Sequence, residues 1–253
     1  MKFQKAAGVY TNYIEWKNWS KEEFGVVKPG SFFYFNQIFQ KKVREKSTIL
    51  EIGFGNGELL GFFKGKGHHI IGVEIIDDLT GRARNAGCVA YTGAVWDIAE
   101  LRPQEFDLIV AFDVLEHMTY EHLNMFFLWI RKHLKDQGKL YLKFPEGASP
   151  FGLANQNSDF THMSCLTKAK IQALCETSDL QILSYTDDLL SSNKLCSFGL
   201  LGKLVLLMLQ GYASVLKLVV KTLLFPLTTS LRLGTNSIAV IGINLKLAEA
   251  TNC

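Results

Sequence analysis

Between Ile49 and Leu60 the chain reads ILEIGFGNGELL: a short apolar run, glycines at alternate positions 53, 55 and 57, then a leucine-rich run. Alternate glycines permit φ > 0 and remove the Cβ atoms that would keep another molecule off the backbone. The run before them reads as a strand and the run after them as a helix. The bare turn therefore sits at the carboxyl end of a strand, where open α/β sheets bind ligands. The spacing is GxGxG. Glu58 stands where a dinucleotide fingerprint would have its third glycine, which argues against a pyrophosphate ligand. No Gly-Lys-Ser/Thr follows, so a nucleotide P-loop is excluded as well.

Two acids narrow the ligand further. Glu51, just ahead of the first glycine, would repel a phosphate and welcome a cation. Glu74 ends the next apolar run, where a carboxylate can accept hydrogen bonds from both hydroxyls of a ribose. A nucleoside that is positively charged and lacks phosphate points to S-adenosylmethionine (SAM).

The scaffold is legible in the alternation of short apolar runs with helical segments. Strands are expected at 48–52, 69–74, 88–91, 106–112, 139–144, 180–185 and 237–246, with helices such as 119–135 and 167–177 between them. Such βαβ units imply a mostly parallel sheet of seven strands, covered on both faces and joined by right-handed crossovers. With 253 residues, 48% hydrophobic and 20% charged, the chain can bury a large core without disulfides. Its five cysteines are scattered and form no CxxC pair, which fits free thiols in a reduced compartment. The first residues lack an apolar stretch of signal-peptide length, and a cytosolic protein is expected. A net charge of +3 is too mild for a nucleic-acid binder.

Four segments in order, ILEIGFGNGELL, GVEIIDD, FDLIVAFDVLEHM and HLKDQGKLYLKFPEG, resemble the class I SAM-dependent methyltransferases, above all the group with a D-x-L-E-H motif after the fourth strand. The resemblance spans roughly residues 45–185 and the last strand. It implies a Rossmann-like fold in which Gly53, Gly55 and Gly57 wrap the methionine part of SAM, Glu51 orients its amino group and Glu74 holds the ribose. The family often has an acid directly after a glycine near the third strand. Here that pair is Gly93-Ala94, so Asp97, or the backbone of Val95 and Trp96, is the candidate for the adenine contact. Asp97 has a second possible role, capping a helix that starts near Ile98.

The segment AFDVLEHM places Asp113, Glu116 and His117 just past the fourth strand, beside the expected sulfonium, with Asp113 a candidate both for catalysis and for a cofactor contact. Methyl transfer needs alignment and a nucleophile freed of its proton, and little else. His117 is a candidate base, and His162 in NSDFTHMSCLT is a second. The competing role for Glu116 and His117 is bracing their loop. Some relatives with an E-x-x-E-H motif and a later histidine bind Mg²⁺, a role Asp113, Glu116, His117 and His162 could fill here. Two imidazoles suit a hard cation poorly, and the expected site holds no metal.

Two segments lie outside the core pattern. Residues 1–46 are rich in aromatics, including Tyr10, Tyr13, Trp16 and Trp19, with a turn expected at 28–30. They read as a helical cap, acting as a lid over the acceptor pocket or as packing on the sheet edge. Residues 186–236 form an insertion before the last strand and include an almost wholly apolar run at 198–227. Its longest uncharged run, 204–216, is too short to span a bilayer. On a helix, Lys203, Gln210, Ser214, Lys217 and Lys221 make a narrow basic stripe on an apolar cylinder. That pattern fits a helix lying on a membrane, a homodimer interface, or a cover for a lipid-like acceptor. It also resembles, more loosely, methyltransferases of bacterial polysaccharide pathways. The expected activity is methylation of a hydroxyl on a small-molecule or saccharide acceptor, including lipid-linked ones. The alternatives are a quinone or lipid methyltransferase, or a SAM-binding scaffold without activity.

Overall fold

A computed structural model of the chain describes residues 13–40, 42–188 and 234–243, with isolated helical positions between 208 and 222. Seven strands form one sheet: β1 (Thr48–Ile52), β2 (His69–Glu74), β3 (Val89–Thr92), β4 (Phe106–Phe112), β5 (Leu134–Pro145), β6 (Leu180–Asp187) and β7 (Asn236–Ile243). Their order is β3-β2-β1-β4-β5-β7-β6. The first five run parallel, and β7 lies antiparallel between β5 and β6. The order reverses at β1, whose neighbours are β2 and β4. The crevice at the carboxyl ends of those strands is the place where such a sheet accepts a ligand.

Period-two alternation sends neighbouring residues of each strand to opposite faces. Leu50, Ile71, Ile109 and Leu142 join one buried cluster with Phe126 and Phe127 of α5 (Tyr120–His133) and Ile171 of α7 (Lys168–Glu176). Ile49, Ile70, Leu108 and Tyr141 join the other, with Leu60 and Phe63 of α3 (Glu58–Gly65) and Leu79 of α4 (Asp77–Asn85). Both faces are covered, which is why these strands read as near-continuous apolar runs.

Several boundaries differ from the sequence reading for local reasons. The expected turn at 28–30 is a helix start: Pro29 is the first residue of α2 (Pro29–Phe39), where its missing N–H costs nothing. The Lys28 amide donates instead to the Glu58 carboxylate at 2.9 Å. Strand β5 begins at Leu134, directly after α5, because Phe106 pairs with Leu134 before the register jumps to Leu108 with Lys139. No regular helix starts near Ile98; two single 3₁₀ turns, Val95–Asp97 and Ala99–Leu101, fill that stretch. Tyr10, most of 198–227 and the end of the expected last strand, 244–246, lie outside the described residues.

The aromatic cap is keyed to the glycine turn. After α1 (Tyr13–Trp16), the Trp19 carbonyl accepts from Arg82 at 3.0 Å, and the Gly25 amide donates to the Asn56 carbonyl at 2.8 Å. A Cβ at Gly55 would lie 2.8 Å from the Trp19 ring, and one at Gly57 would lie 2.5 Å from the Phe24 ring. A Cβ on Gly61 in α3 would run into the Gly25 carbonyl, whereas Gly65 in the same helix has open space. Gly61→Ala should therefore cost about 1–3 kcal/mol through overpacking against backbone, a fall in Tm of roughly 2–12 °C. Gly65→Ala should be neutral or slightly stabilising. Thermal melts of both variants check this, and equal Tm values would contradict the docked cap.

Candidate active site

A cavity of about 380 Å³ opens at the β1–β4 crevice. Its floor is the glycine turn. Gly53, Gly55 and Gly57 have φ of +70°, +53° and +72°, the left-handed region that side chains disfavour. Gly53 and Gly55 line the cavity, together with Glu51, Glu74, Asp113 and His117. Gly57 is turned away against Phe24, so its bareness serves the cap.

The two acids behave differently. Glu51 is buried, and its Oε2 has no hydrogen-bond partner in the protein. Burial, then the nearby Glu74 carboxylate, push its pKa well above the usual range. An ammonium entering the cavity would supply both the missing donor and the missing charge. Glu74 is largely satisfied already: Oε1 accepts from the Ile75 and Ile76 amides at 2.7 and 3.3 Å, and Oε2 from the Gly55 amide at 3.2 Å. A carboxylate has about four acceptor positions. One is left for a ribose hydroxyl, and a grip on both hydroxyls would require Gly55 to release its bond. Burial raises the pKa of Glu74 although the three amides pull it down. A buried carboxylate with one oxygen free, a second carboxylate and a bare turn are the acceptors and the space that the aminoacyl nucleoside SAM requires. The fit is good.

Ala94, Val95 and Trp96, the segment expected to meet the adenine, wall part of the cavity. Asp97 closes its 3₁₀ turn with an exposed side chain outside this wall, and it makes no cap bond to the following turn. Of the residues weighed for that contact, the structure brings Val95 and Trp96 to the cavity and leaves Asp97 out.

At the other end stands the D-x-L-E-H segment. Asp113 has φ +56°, a conformation rare for a residue other than glycine. Its carboxylate meets the Lys143 ammonium at 2.6 Å, and its amide donates to the Lys143 carbonyl at 2.8 Å. Burial pulls the Lys143 pKa down, but the carboxylates of Asp113, Asp188 and Glu116 together more than offset this and lift it. Lys143 lines the cavity with Tyr13, Lys17, Tyr34, Phe35 and Phe112.

His117 lines the cavity, and burial followed by the neighbouring His162 pushes its pKa down to about 4. His162 does not line it; its ring packs edge-on against His117 with centroids 4.6 Å apart. Glu116 is buried with Oε2 unpartnered, and burial plus Asp113 raise its pKa well above the usual range. Ligand atoms of Glu116, His117 and His162 fall within 4.8 Å of one another, near enough to share a cation or a proton. Asp113, the fourth residue weighed for that role, is engaged by Lys143 instead.

Lys143, Asp159 and Thr161 were not legible as site residues. Lys143 has one sequence signal, a lone cation near the carboxyl end of an apolar strand. Asp159 and Thr161 sit in a polar loop, and only the fold brings them to His117.

No curated protein matches the chain. Its fold is shared with a TehB-like SAM-dependent methyltransferase from Corynebacterium glutamicum (13% identity, 94% of this chain and 100% of that one, TM-score 0.56). It is shared equally with a SAM-dependent methyltransferase from Archaeoglobus fulgidus (16% identity, 92% and 98%, TM-score 0.57). The CcbJ methyltransferase from Streptomyces caelestis is a third (10% identity, 88% and 95%, TM-score 0.57). The family model described as "Methyltransferase domain" matches residues 34–185, more than half of the chain. The chain belongs to this methyltransferase-domain family, as a class I methyltransferase whose cofactor is SAM.

Proposed function

We propose that the protein methylates a hydroxyl of a small-molecule or saccharide acceptor, with His117 as the proton acceptor. The observation that carries this reading is one cavity lined by both Glu51, whose Oε2 has no partner, and the neutral His117. Bound SAM supplies a methyl carbon made electrophilic by its sulfonium. Glu51 accepts from the ammonium of the amino-acid part and Glu74 from the ribose, while Gly53 and Gly55 let the ligand lie against the backbone. Tyr13, Trp19 and Phe35 line the cavity and keep water from the reacting atoms. With its pKa near 4, His117 is unprotonated at neutral pH and free to take the acceptor's proton.

His117→Ala should slow transfer of labelled methyl from SAM into a cell extract by about 10²–10⁴-fold, with unchanged affinity for the demethylated product SAH. His162→Ala should slow it less, since that ring touches His117 and not the cavity. A chelator should leave the rate unchanged. Full transfer by His117→Ala, or loss of transfer with a chelator and recovery with a divalent ion, would contradict the assignment.

A second observation favours lipid-linked acceptors. Met208, Tyr212, Val215 and Leu218 are helical and each more than 60% exposed, and at 100° per residue they share one face. Lys203, Lys217 and Lys221, outside the described residues, fall on the opposite side by spacing. Among the described residues no helix is long and apolar enough to cross a membrane. We assign the segment to the surface of an anionic membrane, with the apolar face in the acyl boundary and the lysines toward headgroups. Co-sedimentation with anionic vesicles should exceed that with neutral ones and decline in high salt, each lysine adding about 1 kcal/mol. Changing the three lysines to Glu should reverse the preference. A protein that ignores vesicles of every composition, or that dimerises through this face instead, would refute the assignment.

A further inference from the structure

His117 ends a chain of hydrogen bonds that runs through Thr161 to Asp159. The loop between α6 (Leu153–Asn157) and α7 is fastened to the 3₁₀ turn Leu115–His117. The Met163 and Ser164 amides donate to the Glu116 carbonyl at 2.7 and 3.0 Å, and the Ser164 hydroxyl donates to the Met118 carbonyl at 2.6 Å. This fastening brings Thr161 Oγ1 to 2.8 Å from His117 Nδ1 and 2.5 Å from Asp159 Oδ1. Asp159 Oδ1 also accepts the Thr161 amide at 2.9 Å, and the Lys17 ammonium of the cap stands 4.0 Å from Oδ2. Asp159 and Thr161 are both more than nine-tenths buried.

The direction of the chain follows from counting protons. Burial pushes the Asp159 pKa up, but the Thr161 hydroxyl and amide, with the neighbouring His117 and His162, outweigh it and hold the group below its ordinary value. Asp159 is a carboxylate at neutral pH and can only accept. The single proton of the Thr161 hydroxyl goes to it. Oγ1 then faces Nδ1 as an acceptor, so the ring proton of His117 must sit on Nδ1. Which nitrogen of a histidine keeps its lone pair is set by the bond the other one makes. Here Nε2 keeps it.

We infer that Asp159 and Thr161 are positioning residues: through the Thr161 hydroxyl they hold His117 as the Nδ1–H tautomer and so present Nε2 as the proton acceptor. The inference rests on the proposal that His117 is the base. In that step the acceptor O–H proton passes to Nε2, the oxygen lone pair forms the O–CH₃ bond, and the S–CH₃ electron pair stays on sulfur as a neutral thioether. The imidazolium that forms is offset by Asp159 through the same hydroxyl. His162 is anchored in a parallel way, its Nδ1 2.9 Å from the Gln156 carbonyl, but its Nε2 faces Glu116 at 4.0 Å.

The test is ¹⁵N NMR of the histidine-labelled full chain with SAH at neutral pH. His117 should show a protonated Nδ1 and a bare Nε2. Thr161→Val, which removes the hydroxyl at constant shape, should abolish that preference and slow labelled-methyl transfer by roughly 10–100-fold. SAH affinity should not change, and Thr161→Ser should restore both the tautomer and the rate. A proton on Nε2 in the unaltered protein, or a tautomer and rate indifferent to Thr161→Val, would overturn the inference. Full transfer by His117→Ala would instead overturn the base assignment, and the NMR reading keeps the two failures apart.

Discussion

The carboxyl edge of the sheet depends on three missing side chains. At residues 53, 55 and 57 the backbone occupies the left-handed region, so β1 turns sharply into α3 and the cavity opens beside β4. A Cβ at Gly53 would strike Val114, the neighbour of Asp113; one at Gly55 would strike Trp19; one at Gly57 would strike Phe24. The same bareness that shapes a ligand floor also receives the aromatic cap and sets the D-x-L-E-H segment beside it. Strain at these positions would spread in all three directions.

Electrostatics follow from that closeness. Glu51, Glu74 and Glu116 are all buried, and all have pKa values raised by burial first. Glu51 and Glu116 each keep an oxygen without a partner. Buried carboxylates are costly to ionise; Glu51 and Glu74 line one cavity, and Glu116 lies next in sequence to His117, which lines it too, an arrangement that marks a candidate functional site. In the proposed reading, the ammonium of SAM would supply the partner that Glu51 Oε2 lacks. Asp113 already has its cation in Lys143, and both residues line the cavity.

The sheet was legible because its central strands β1, β2 and β4 are buried on both faces and their apolar runs stand out against the flanking turns. The start of β5 was not: LKDQG reads as a helix end, and only pairing with Phe106 makes Leu134 a strand residue. The glycine motif led to residues that line a cavity, Gly53 and Gly55, but spacing does not show that Gly57 faces Phe24. Asp97 was weighed as an acid at a plausible distance along the chain, and a 3₁₀ turn carries it outward. Asp159 and Thr161 acquire meaning only through a contact 44 residues away in sequence, Thr161 with His117.

Calorimetric titration with SAH tests the central claim most directly. The unaltered protein should bind one equivalent with micromolar affinity, about 8 kcal/mol. Glu74→Ala should weaken binding by roughly 1–3 kcal/mol, and Glu51→Gln should weaken it by removing the charge opposite the ammonium. Equal affinity in all three proteins would contradict a SAM site built on the glycine turn and its two buried acids.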